Sequence, residues 1–219
     1  MIRSHLMWLV PIAAATVSFA LDATQVMAQT VYPFEATYNS ENTLVPIINN
    51  ISKVSITASS TDAPYGLTSF FNTNYGLIDS AKGTIIFKAN PADFGLETLP
   101  LGGVTFVGTG SDRLFGTIDG KAQLDFKNLV GIATGTFNIT GGSGKFNGAS
   151  GIFSFIEKDL LNPDPTAPFK SQAVLSGSFQ TPQMVTEPAN TTALIGMGIF
   201  GVSFLLRQRK QKVALTNTL

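Results

Sequence analysis

Residues 133–155 run ATGTFNITGGSGKFNGASGIFSF, and the architecture turns on whether they form an anion-binding loop or a β-hairpin. The glycine-rich centre beside Lys145 could offer backbone amides to a phosphate. Its spacing is not that of a phosphate-binding loop, and no helical period comes after it that would supply a helix N-terminus for an anion. The glycines lead instead into a second run of alternating small and aromatic residues. The stretch therefore reads as two β-strands joined by a glycine-kinked turn.

The same pattern extends in both directions. Strand-like runs upstream are VYPFEATYN, KVSITAS, LTSFFNT, GTIIFKA, GVTFVGT, RLFGTID and KAQLDFK, and downstream AVLSGSFQ. Between the runs stand DAPYG, SAKG, ANPADFG, LPLGG, IDGK and NPDPTAP, each rich in residues that favour turns. Roughly ten short strands with almost no helical periodicity predict an all-β fold, an antiparallel meander forming a barrel or flattened sandwich of about 8–10 strands. Asp119-Gly120 is the strongest hairpin signal, because both residues tolerate the positive φ of a tight two-residue turn. Two echoes, GSDRLFGT at 110–117 and GSGKFNGA at 142–149, suit hairpins of one curved sheet. Glycine also recurs shortly before phenylalanine: Gly83 and Phe87, Gly103 and Phe106, Gly135 and Phe137, Gly151 and Phe153, Gly177 and Phe179. A ring packed over a glycine lets a sheet bend while covering its backbone.

Composition narrows the chemistry. The 219 residues carry no net charge and no cysteine, which removes disulfides, thiol nucleophiles and thiolate metal sites. Arg3 precedes the apolar run HLMWLVPIAAATVSFAL, and Val26 and Ala28 occupy the small-residue positions of a signal-peptidase site. Residues 1–28 are thus expected to be a signal peptide, with signal peptidase and the Sec export machinery as partners. Its removal takes away His5 and Trp8, the only residues of their types. A mature chain without His or Cys lacks the usual general base and the best transition-metal ligands, so no cofactor and no metal are expected.

At the other end, Thr191–Leu206 is an uncharged run of sixteen residues with three glycines, followed by Arg207, Arg209, Lys210 and Lys212. It is expected to be a short single transmembrane helix with the cations on the cytoplasmic side. With Val185, Thr186, Glu187 and Pro188 ahead of it, the segment resembles the PEP-CTERM sorting signal of exopolysaccharide-producing bacteria. Two departures from that pattern are Thr186, where the signal usually has proline, and the tail VALTNTL (213–219) after the basic cluster. The resemblance implies processing by an exosortase and transient anchoring in the inner membrane. The product would then pass to the cell surface, the outer envelope or the extracellular space, with exopolysaccharide as a partner.

The expected organisation is therefore a signal peptide (1–28), an exported all-β domain (29–183), a sorting segment (184–212) and a short tail (213–219). Residues 29–182 contain nine Lys or Arg and twelve Asp or Glu, and this acidic balance excludes nucleic acid as a partner. The hairpin at 141–151 is similar to the GGTGRF-x-GA-x-G hairpin of secreted barrels related to dirigent proteins and allene oxide cyclases, a resemblance that carries over no catalytic residue. Carboxylates are the body's only acid or base groups, the candidates being Asp112, Asp119, Asp125, Glu157 and Asp159. A pair could do glycosidase-type chemistry in principle. Most are expected at turns or on the outward side of strands, as solvated charge, and no catalytic site is assigned.

The expected function is that of a non-enzymatic surface or matrix protein associated with exopolysaccharide or biofilm, with a small-ligand carrier and a barrel enzyme as alternatives. A domain packed solid by Phe and Ile suits a non-enzymatic surface or matrix protein. A phenylalanine-lined cavity with a few convergent polar groups suits a small-ligand carrier. An inward carboxylate with a raised pKa suits a dirigent-like or isomerase-like enzyme.

Overall fold

Alternation of apolar and polar residues predicts strands with one face buried, and the computed structural model, which describes residues 28–164 and 167–183, has nine. They are β1 (Ala28–Ile48), β2 (Ile51–Ser59), β3 (Ser69–Asp79), β4 (Thr84–Lys88), β5 (Gly103–Val107), β6 (Arg113–Asp125), β7 (Val130–Ser143), β8 (Ser150–Leu160) and β9 (Phe169–Gln183). Helical structure among the described residues is limited to the 3₁₀ turns Pro64–Gly66, Pro91–Phe94 and Gly144–Phe146. No helix among them is long and apolar enough to cross a membrane. The sorting motif, the expected transmembrane helix, the basic cluster and residues 1–27 lie outside the described residues. Ala28 begins β1.

All nine strands belong to one sheet, in the order β2-β1-β9-β8-β7-β6-β4-β3-β5. Pairing of β2 with β3 joins the two ends of that order, so the sheet closes on itself as a ring. β4 and β5 share one place in it: β4 pairs with Tyr75–Asp79 of β3, and β5 with Ser69–Thr73. The loop between them swings outside, where Pro100 accepts a hydrogen bond from Tyr75 Oη at 2.7 Å. Gln29–Gln183 forms one compact unit.

The expected hairpin at Asp119-Gly120 is not there. RLFGTID and KAQLDFK are one continuous strand, β6, with Asp119 and Gly120 at its middle. Gly120 faces Phe87 of β4, and a Cβ on it would sit 2.6 Å from that ring and 2.4 Å from the Thr134 carbonyl oxygen. Its glycine answers a close approach, not a turn. Glycine stands across from phenylalanine at three further places in the sheet, as expected for a glycine opposite a large ring. Gly135 faces Phe155, Gly151 faces Phe179, and Gly177 faces Phe153. The rings of Phe87 and Phe155 cover the bare backbone of Gly120 and Gly135, which lets the ring of strands curve tightly there.

The interior has two halves. Inward side chains change from aromatic to polar along β1 (Phe34, Tyr38, Ser40, Asn42), β3 (Phe70, Asn72, Asn74) and β8 (Phe153, Phe155, Glu157, Asp159). One half is therefore a solid cluster centred on Phe106, whose ring lies 5.2–5.7 Å from those of Phe70, Phe137 and Phe153. Phe146 closes that end, packed against Tyr32 and Phe179. Each buried ring contributes roughly 1.5–3 kcal/mol, and each well-oriented pair about 0.5–1.5 kcal/mol more, which makes this half the anchor of the fold. Tyr38 keeps its hydroxyl satisfied by donating to the Leu67 carbonyl. Burial first, and then the charge of Asp62, hold its phenol above the ordinary value.

Candidate functional site

The other half of the ring is not filled. Below the turns that join β3 to β4, β6 to β7 and β8 to β9 lies a cavity of about 510 Å³. Its walls are apolar, contributed chiefly by Val54, Ile85, Phe87, Ile118, Leu124 and Phe169. That volume lies within the range typical of small-molecule sites.

Polar groups gather on one side of the cavity because three neighbouring strands, β1, β9 and β8, place them there. Asp159 pairs in register with Ser171, and Glu157 with Ala173, while Asn42 reaches across from β1. Asn42 Nδ2 donates to Ser171 Oγ at 2.7 Å, and Ser171 Oγ donates to Asp159 Oδ1 at 2.6 Å. Glu157 Oε1 accepts from Ser40 Oγ at 3.3 Å and from Asn42 Nδ2 at 3.4 Å. Glu157 is 9% exposed and Asp159 5%. Burial first, and then the charge of Asp159, push the Glu157 acid up to about 7. Burial also raises Asp159, against the hydrogen bond from Ser171. The pair can thus hold and exchange a proton near neutral pH.

Some buried polar atoms here have no protein partner. Asn42 Oδ1 and Asn74 Oδ1 find no donor, and neither amide atom of Asn72, the next inward residue on β3, is paired. An unpaired buried polar atom costs about 1–3 kcal/mol, so these three asparagines are a poor choice for stability alone.

Glu157 and Asp159 correct the expectation of outward, solvated carboxylates. Both faces of β8 are apolar, with Ile152, Ile156 and Leu160 exposed outside, so alternation alone does not say which side is in. Parity with Phe153 and Phe155 was the available signal. The other three candidates are placed as expected. Asp119 is on the outer side of β6, half-buried, and accepts from Asn138 Nδ2 at 3.5 Å. Asp125 holds the β6–β7 turn by accepting from the amides of Lys127 and Asn128 at 3.0 Å. Asp112 lies at the aromatic end, 3.1 Å from Lys145 Nζ. Lys145 is engaged there: its amide donates to Asp112 and its ammonium to the Tyr65 carbonyl. The two sequence echoes are this junction, Ser143 Oγ donating to the Ser111 carbonyl between them. Val26, Val185, Thr186, Glu187, Pro188, Arg207, Arg209, Lys210 and Lys212 lie outside the described residues, and of Ala28 only the start of β1 is described.

Asn42, Asn72, Asn74, Ser40 and Ser171 are polar residues that sequence reasoning missed. The signal lay in their sharing parity with an aromatic residue earlier or later in the same strand. Among the described residues no three His, Cys, Asp or Glu side chains gather as a metal site.

No protein-family model matches the chain, and no curated protein matches it in sequence. Among solved structures it shows a weak resemblance to a pterocarpan synthase dirigent protein, at 10% identity and a TM-score of 0.35, over 69% of this chain and 92% of that one.

Proposed function

We propose that the chain is an exported β-barrel that carries a small, largely apolar ligand in the unfilled half of its interior. The observation that supports this reading is the asymmetry of the interior. A ring that needed only to be stable would be filled from end to end, as its aromatic half is. Here the other half keeps about 510 Å³ open, with mostly apolar walls and a buried polar cluster at Asn42, Glu157 and Asp159. The layout of the two chain ends in the sequence adds export by signal peptidase and sorting by an exosortase. Exopolysaccharide or matrix association then describes where the carrier works.

Titration of the full-length protein with the neutral fluorophore N-phenyl-1-naphthylamine tests the carrier reading. Saturable binding is expected, weakened by about tenfold or more in Leu124→Trp, whose larger side chain occupies cavity space while the melting temperature is retained. No saturable binding, or equal binding by Leu124→Trp, overturns it. Intact mass and cell fraction of the protein, with and without an exosortase, test the sorting.

A second reading, dirigent-like or isomerase-like catalysis, draws on Glu157, a buried acid raised to about 7 beside an apolar cavity. Turnover that disappears in Glu157→Gln while fluorophore binding persists distinguishes it from simple carriage.

A further inference from the structure

Resting on the carrier reading, we infer that the ligand's polar head is a cation, a primary or secondary ammonium on an apolar body, received by Glu157, Asp159, Asn42 and Asn74. Three features of the cavity lead there.

The polar wall has more acceptors than donors. Asn42 Nδ2 and the Ser171 hydroxyl are already committed to the chain that ends on Asp159. That chain fixes the asparagine's orientation, since Ser171 gives its proton to the carboxylate and must receive one from Asn42. Among the described residues Asn42 Oδ1 is therefore the end left without a donor; Asn74 Oδ1 lacks one too, on an amide that no hydrogen bond holds in one orientation. These side chains are 3% and 2% exposed, and both residues line the cavity.

Among the described residues the lining contains no countercharge. Glu157, Asp159 and Asp164 are its ionisable residues, and no Lys, Arg or His is among them. Burying carboxylates without a cation is costly, and the cost is met by a raised affinity of Glu157 for its proton. A ligand cation would replace that proton.

The chemistry of possible heads separates them. A carboxylate or phosphate head would face two acids and two amide oxygens, a like-charge arrangement that excludes it. A hydroxyl brings one proton to several waiting acceptors. A primary ammonium brings three donors to this acceptor-rich side, and its hydrogen bonds to a carboxylate such as Glu157 are charge-assisted. The walls, mostly Val, Ile, Leu and Phe side chains, accept the apolar body.

Isothermal titration of the full-length protein at pH 7 with decylammonium, decan-1-ol and decanoate, in buffers of different ionisation enthalpy, tests the inference. Decylammonium is expected to bind about tenfold or more tighter than decan-1-ol, with decanoate weakest. Binding of the amine should release about half a proton as Glu157 becomes fully ionised, and binding of the alcohol none. Glu157→Gln should bring amine and alcohol to near parity and abolish the release. Asn74→Leu, which leaves the acids in place, should reduce the amine's advantage while retaining proton release, so the inference stays testable even if one variant fails to fold. Alcohol binding equal to or tighter than amine binding overturns the cationic head and leaves the carrier reading standing. Binding of none of the three probes overturns the carrier reading itself.

Discussion

The ring of Phe87 covers Gly120 so closely that a Cβ on the glycine would lie 2.6 Å from Phe87 Cζ. The contact joins β4 to β6 and sets the curvature of the wall between the cavity and the aromatic half. Gly120→Ala must displace the ring or open the strands, because the Thr134 carbonyl oxygen stands on the other side at 2.4 Å. The expected loss is about 1–3 kcal/mol by urea denaturation. Gly141 on the neighbouring strand β7 is the control, since a Cβ there would meet only Phe115, at 3.8 Å. Gly141→Ala should change stability by less than about 1 kcal/mol. Equal losses at both positions would show that the ring contact is not what requires glycine.

The two halves of the interior should respond differently to truncation. Phe106 is fully buried with rings on every side, and Phe106→Ala leaves a void that backbone-bound neighbours cannot fill; about 3–5 kcal/mol should be lost. Leu124 already borders open space, and Leu124→Ala should cost about 1 kcal/mol, since no new cavity forms. Chemical denaturation of the two variants measures both. A loss at Leu124 as large as that at Phe106 would mean the cavity wall is as tightly supported as the core.

Much of this division was legible in the sequence. The alternating runs, the turn clusters and the hairpin at 141–151 indicated an antiparallel all-β body, and β7, the Gly144–Phe146 turn and β8 match that reading closely. Asp119-Gly120 misled because the dipeptide that favours a tight turn also suits a strand that must pass beneath a ring, and only the partner strand tells them apart. The candidate site was harder to see. Glu157 and Asp159 lie on a strand apolar on both faces, so their direction is set by closure of the ring, a property of all nine strands together. Asn42, Ser171 and Asp159 come from three separate strands and meet only through pairing.

At the aromatic end, Asp112 should give the fold an acid-sensitive support. The Lys145 amide first, and then its ammonium, hold the Asp112 carboxyl below its ordinary value. A depressed folded-state pKa stabilises above the unfolded value and loses that effect as pH falls through it. Asp112→Asn should therefore melt below the wild type at neutral pH. The gap should close as the pH drops below about 4, where the unfolded carboxyl protonates and then the folded one does too. A gap that stays constant with pH would assign the loss to shape and not to charge.

Glu157 should act in the opposite sense. Its folded-state acid is raised from 4.5 to about 7, so the native protein holds a proton that the unfolded chain gives up. Below 4.5 both states are protonated and the group is neutral to stability. As pH rises through the interval from 4.5 to about 7, the unfolded state gains the free energy of ionisation first, and the fold loses stability. The full penalty, on the order of 3 kcal/mol, is reached above that interval. Glu157→Gln cannot ionise and escapes it. The variant should therefore gain on the wild type in melting temperature between about pH 5 and about pH 8, most steeply midway between the unfolded value of 4.5 and the folded value of about 7. Asp159 stays in both proteins, so the difference isolates Glu157. Saturating decylammonium should shrink the penalty in the wild type alone, because the bound cation offsets the buried charge. A difference that is flat with pH would place the Glu157 carboxylate in contact with water and remove the reason for a cation beside it.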